Sequence, residues 1–226
     1  MRWYVVVEGL KTEKAIYDSW IKHLNPAMQN CGTYNAVQDN SYFIVAGYGY
    51  PNYLQVIKSA IDDINANKDI DELVIGVDSE NMEHAEKNKE IQDVVDANPC
   101  HATVHIIVQH FCIETWLLGN KKVIPRSPQN KKLKEYKKLW DVVQKDPEGL
   151  PPNVSEGLNR AQFALKYLRT ALVEKGQSYS KNSPGISLDL TYLDQLKRRV
   201  SETTHIPSFK KFLDVFEAKN SPAISN

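Results

Sequence analysis

A chain of 226 residues that is 42% hydrophobic and 25% charged has the make-up of a folded globular protein, long enough for one core with an added lobe, which excludes a disordered or fibrous protein. The formal net charge is zero but unevenly spread: residues 1–110 carry 8 Lys and Arg against 16 Asp and Glu, and residues 111–226 carry 20 against 12. Glu8 follows the apolar start too soon for a secretory signal, no apolar run nears the ~20 residues that span a bilayer, and Cys31, Cys100 and Cys112 have no CxxC spacing, so the expectation is a cytoplasmic protein without membrane contact, disulfide framework or zinc site.

Taken in chain order, the apolar runs Trp3 to Val7, Tyr42 to Ala46, Leu73 to Val77 and Thr103 to Val108 predict four strands. All but the second are rich in β-branched residues without polar alternation, the pattern of strands covered on both faces. Between them, Thr12 to Leu24 and Pro51 to Ala66 carry apolar stripes at helical spacing, and a third helix is expected over Met82 to Asp96. After Asn120 helices follow at Lys131 to Gln144, Ser155 to Lys175, Leu188 to Ser201 and Ser208 to Lys219, joined by turn-rich loops at 147–152 and 176–185. Strand alternating with helix predicts an α/β fold with a mostly parallel four-stranded sheet, then a helical C-terminal region. The expected division is 1–120 for the α/β domain, 121–220 for the helical region and 221–226 for a tail.

In parallel sheets functional groups collect at the carboxyl ends of the strands. Glu8 follows the first strand, Asp78 and Glu80 the third, and Glu114 lies past the fourth. Gly9 offers a sharp turn, Thr12 an N-cap, and Glu13 either a further ligand or a partner for the helix dipole. Asp78 and Glu80 read either as paired carboxylates or as a cap for the next helix. Hard oxygens on a rigid frame suit Mg²⁺.

VVVEGLKTE and GVDSE resemble the two signatures of the Toprim superfamily, a glutamate after the first strand and a DxD pair after the third, here DxE. FCIETWLLGN is similar to the stretch after strand four in RloB-like proteins and in a related Toprim family, where Gln109, His110 and Phe111 replace a Ser-Asn-Pro segment. YSKNSPG, YLDQLKRR and HIPSFKKFL extend the likeness over nearly the whole chain. The resemblance implies a Rossmann-like Toprim core and nuclease chemistry of the OLD type, with Mg²⁺ or Mn²⁺ held by Glu8, Glu13, Asp78, Glu80 and Glu114. It also implies a setting in phage defence or mobile elements, often beside an ABC-type or SMC-like ATPase. Glu8, Asp78, Glu80 and Lys181 would then be catalytic, Lys181 stabilising charge on a scissile phosphate. The chain itself has no GxxxxGK[ST] and so no nucleotide-hydrolysing P-loop. Strand passage and priming would need parts that are not found.

NKKVIPRSPQNKKLKEYKK, with Lys121, Lys122, Arg126, Lys131 and Lys132, reads either as a surface for DNA or RNA backbone or as a solvated helix. His101 and His105 read as satisfied core or surface histidines and His110 as a neighbour of the acidic edge. Trp20, Trp116, Phe163, Tyr167, Phe209 and Phe212 read as core. Two functions follow: a metal-dependent nuclease, or a degenerate Toprim module that binds an ATPase or toxin.

Overall fold

The computed structural model describes residues 1–217. The last residues of the final predicted helix and the 221–226 tail lie outside them. The elements are β1 (Arg2–Val7), α1 (Thr12–Leu24), β2 (Gln29–Asn30), β3 (Ser41–Ala46), α2 (Asn52–Ala66), β4 (Glu72–Asp78), α3 (His84–Ala97), β5 (Thr103–Gln109) and α4 (Ile113–Leu117), followed by α5 (Lys131–Leu139), α6 (Arg160–Glu174), α7 (Leu190–Glu202) and α8 (Pro207–Glu217). All strand pairs are parallel, in the order β2-β3-β1-β4-β5. The sheet therefore has five strands, not four. The extra strand is two exposed polar residues, Gln29 and Asn30, paired with Ser41 and Tyr42 on β3. Such a stub has no apolar run and is created by its neighbour's unpaired edge.

Both faces of the sheet are covered. Along β1, Trp3, Val5 and Val7 enter one apolar cluster, and Tyr4 and Val6 enter another. The period of two sends successive side chains to opposite sides, so a strand without polar alternation can be satisfied only between two layers. α2 and α3 supply the layer over Tyr4 and Val6, through Ile57, Ile61, Ile64, Ile91 and Val95. The other layer joins α1 to residues of α4, α6, α7 and α8, with Trp20, Trp116, Phe163, Tyr167, Phe209 and Phe212 all fully buried. The C-terminal helices thus share a core with the first strand.

Helix ends moved where local hydrogen bonding decided them. α6 begins at Arg160 rather than near Ser155, because Asn159 and Gln162 form a reciprocal capping box. α5 stops at Leu139, where the chain turns and Trp140 Nε1 donates to the Asp146 carbonyl.

The helical region is tied inward by Arg199, only 2% exposed. Its Nη1 donates to Gly119 O at 3.1 Å and its Nη2 to Lys145 O at 2.7 Å. Burial lowers its pKa to about 10 despite Asp146 and Asp141. Arg199→Met removes the donors to both carbonyls, so a loss of about 1–3 kcal/mol per orphaned group is expected in urea unfolding. Arg199→Lys should not rescue it, since one ammonium cannot reproduce the guanidinium fork.

Candidate active site

β1 delivers Glu8 onto a backbone fixed from both sides. Its N–H donates to Gly76 O at 3.0 Å, and its carbonyl accepts from Gly49 N at 3.1 Å. Its side chain turns towards β4, where Oε2 accepts from Asp78 N at 3.0 Å. Glu8 is thereby locked to the end of the neighbouring strand.

Around it opens a cleft of about 440 Å³ whose lining includes Glu8, Glu13, Asp78, Glu80, Glu114 and Lys181. All five predicted carboxylates and the predicted lysine meet there, from residues far apart in sequence. Lys11 and Lys181 are the cations of the lining. Glu13 is not simply a dipole partner: it is buried, and its Oε2 accepts from Gly9 N at 2.5 Å. Gly9 earns its place by space, since a Cβ there would lie 2.6 Å from Glu13 Oε1. Thr12 is the first residue of α1 and not its cap; Lys11 holds the cap position. The Thr12 hydroxyl instead donates to Ser180 O at 3.3 Å. That bond clasps the tight Ser180–Ser183 turn to α1 and brings Lys181 to the cleft.

Asp78 ends β4, and Glu80 sits past it with φ +49°, so the pair is not displayed on extended chain. The turn is held by Ser79 N to Gln109 O at 2.9 Å and Glu80 N to Phe111 O at 2.7 Å. A glutamate in the left-handed region is uncommon and costs free energy. Neither Asp78 nor Ser79 caps α3, whose cap position is Glu83. Asp78 is buried and Glu80 exposed, so one is fixed within the cleft and the other stands at its mouth.

Removal of the carboxylates from water dominates the electrostatics, and their like charges add to it. Burial pushes Glu13 up to about 8, reinforced by the charges of Glu8 and Glu114 and opposed by the Gly9 N–H and Lys181. Burial likewise raises Asp78 well above the usual carboxylate range, with Glu13, Glu8 and Glu114 adding to it. Glu8 is raised by burial, eased by the Asp78 N–H bond. Desolvation works against the Lys181 ammonium, but Glu114, Asp78 and Glu13 outweigh it and hold its pKa above the ordinary lysine value.

Glu114 is 1% exposed and needs a partner, and Tyr179 OH provides one at 3.0 Å. This tyrosine opens the YSKNSPG stretch, but nothing local in the sequence pointed it at Glu114. Tyr179→Phe leaves Glu114 Oε1 without that donor, and a loss of about 1–3 kcal/mol is expected in thermal unfolding. Lys87 was also missed. It is 4% exposed on α3, donates to Tyr53 OH at 2.7 Å and Glu90 Oε2 at 2.8 Å, and draws the pKa of Glu8 down. A lysine in a charged helix reads as solvated until the fold buries it. Two exposed tyrosines, Tyr48 and Tyr50, flank Gly49 in the loop after β3, and Tyr50 lines the cleft. The alternation of Gly and Tyr after a strand was a signal that could have found them.

The basic stretch lies elsewhere. Lys121, Lys122, Arg126, Lys131 and Lys132 do not line the cleft. Lys122 borders a separate cavity of about 400 Å³ with Lys175 and Gln177, and Lys121 a smaller one with Arg198 and Arg199. Lys132 is paired with Glu156 at 2.7 Å and Glu135 at 3.2 Å. His110 faces a third cavity with His84 and Ser208, and its Nδ1 lies 3.4 Å from Ser79 Oγ. His105 is satisfied by Glu72 at 2.6 Å. Gln109 donates to Tyr17 OH at 3.2 Å, behind the cleft.

The donor set suits a hard dication in its chemistry: carboxylates converge, and Asp78 Oδ1 is buried without a hydrogen-bond partner. Among the described residues, however, no three His, Cys, Asp or Glu side chains stand in a ready-made ligand cluster. Binding would have to draw the carboxylates together. Among the described residues no helix is long and apolar enough to cross a membrane. No family model, curated protein or solved structure matches the chain.

Proposed function

We propose that this chain is a nuclease of Toprim type that hydrolyses DNA or RNA with Mg²⁺ or Mn²⁺. The observation that carries the reading is the convergence of Glu8, Glu13, Asp78, Glu80 and Glu114 on one cleft, with Asp78 Oδ1 buried and unpartnered. Carboxylates packed this way are costly alone and become favourable when a cation or protons neutralise them. Glu8, Asp78 and Glu80 would hold the ion, with Glu13 and Glu114 closing in from the two helix starts. The chemistry such an ion supplies when bound is Lewis-acid stabilisation of charge on phosphate oxygens. Lys181 can place its ammonium against the same developing charge. The Asp78 N–H orients Glu8, and the Tyr179 hydroxyl orients Glu114, so the ligands on β1 and α4 are each steered by a second group.

The test is cleavage of plasmid, single-stranded DNA and tRNA by the purified chain with Mg²⁺ or Mn²⁺. No product with either metal on any of the three would sink the nuclease reading. The second reading is a partner-binding Toprim module, its partner an ABC-type or SMC-like ATPase or a toxin in a phage-defence or mobile-element setting. The absence of a ready-made ligand cluster among the described residues favours it, as does a Glu13 that carries a proton near neutrality. Titration calorimetry that finds no Mg²⁺ or Mn²⁺ binding would support it over the nuclease.

A further inference from the structure

Most aromatic side chains of the described residues are buried or half-buried; Tyr48, at 63%, and Tyr50, at 59%, are the exposed ones. Both stand on the β3–α2 loop, Tyr50 in the lining of the carboxylate cleft and Tyr48 two residues before it, and Leu10, 51% exposed, lines the same cleft as Tyr50. An exposed tyrosine singly needs no explanation. A pair placed at one functional edge does.

The loop that carries them is anchored. Tyr48 has φ +62° and Gly49 φ +76°, two successive left-handed residues. For a bulky residue this is an uncommon conformation, which persists only where the surroundings impose it. Here they do: Gly49 N donates to the carbonyl of Glu8 at 3.1 Å, Tyr53 N to Gly49 O at 3.1 Å, and Asn52 Nδ2 to Tyr48 O at 3.3 Å. The loop is thus bonded to the residue that anchors the cleft. Tyr50 is backed by Lys87, whose Nζ lies 5.1 Å from the ring centroid, and by Tyr53, with ring centroids 6.0 Å apart. Its ring is supported yet remains open to solvent.

We infer that Tyr48 and Tyr50 form a platform on which unpaired nucleobases stack beside the phosphate being cleaved, so that the substrate is single-stranded nucleic acid. This rests on the nuclease reading and deepens it. The charge of the site argues the same way: its lining holds five carboxylates against Lys11 and Lys181, and the lysine-rich stretch lies off it. A site this poor in cations gains little from tracking a phosphate backbone, whereas aromatic faces bind bases of any sequence. In a duplex the bases are already stacked on one another and their faces are closed to side chains.

The experiment is equilibrium binding by the full chain, in Ca²⁺, of a labelled single strand, the same strand with abasic sites and the same sequence as duplex. A strand carrying 2-aminopurine reports stacking through its fluorescence. Tyr48→Ala and Tyr50→Ala should each weaken single-strand binding by about 5- to 100-fold and relieve 2-aminopurine quenching, while Tyr→Phe at either site retains both. The abasic strand should bind the wild type as weakly as the normal strand binds the alanine variants. Equal binding of normal and abasic strands, or unchanged quenching in the variants, overturns the platform and leaves the nuclease reading intact. A wild-type chain that binds no strand at all overturns both.

Discussion

Glu8→Gln and Asp78→Asn are each expected to reduce metal-dependent cleavage by about 10²- to 10⁴-fold, the several kcal/mol that charge stabilisation at a metal-assisted phosphoryl centre contributes. Both changes keep the size and shape of the side chain and remove one formal charge. Glu8 Oε2 accepts from Asp78 N, and an amide oxygen can still take that bond, so the local backbone should stay in place. Asp78 Oδ1 has no partner to lose. A fall in activity with an unchanged unfolding midpoint would therefore report lost function rather than lost fold. The readout is single-turnover cleavage across a Mg²⁺ titration: loss of a ligand should also raise the metal concentration needed for half-maximal rate. Full activity in both variants would be incompatible with these carboxylates holding the ion.

The second large effect concerns pH and divalent metal together. Glu13 is raised from its ordinary value of 4.5 to about 8, and Asp78 and Glu8 move in the same direction. With a folded pKa above the unfolded one, the folded state binds more protons between the two values. The stabilising contribution is thus complete below about 4.5 and is lost as pH rises through about 8. At 1.36 kcal/mol per pKa unit, the loss from Glu13 is of the order of several kcal/mol. Without metal, the melting temperature should fall as pH is raised across this window. Mg²⁺ should restore it at the alkaline end, by about 2.7 kcal/mol when its concentration is a hundred times Kd. Glu13→Gln should flatten the slope. Glu148, raised to about 7 by burial in the cavity beside His110, adds a slope of the same sign that Mg²⁺ should leave alone. His84, His110 and His205, lowered from 6.5 chiefly by burial, give a slope of opposite sign below about 6.5. The decisive range is therefore from about 6.5 to 8, where a metal-free melting temperature that does not fall with pH would contradict the raised Glu13.

Much of the fold could be read directly. Four of the five strands are apolar runs, and their lack of polar alternation announced a sheet covered on both sides, as Trp3 and Tyr4 entering separate clusters bears out. Both properties are local, set by the period of the backbone. The fifth strand was hidden because Gln29 and Asn30 are polar and pair only where β3 offers an edge. The carboxylates were legible for a related reason. A residue at a strand end is placed by the strand, so Glu8 and Asp78 reached one edge, and Glu114 joins them from the start of α4, just past β5.

What holds those carboxylates was not legible. Tyr179 reaches Glu114 across 65 residues, and Thr12 clasps Ser180 across 168. Lys87 lies in a charged helix, and its burial is decided by where α3 packs. The sequence by itself determined the alternating elements, the doubly covered sheet and the acidic edge, because strand period and strand ends are properties of short segments. The tertiary structure alone decided the partners of Glu8 and Glu114, the burial that raises the pKa of Glu13, the delivery of Lys181 and the exposure of Tyr48 and Tyr50. Those depend on which distant segments are brought together and on how much water is excluded when they meet.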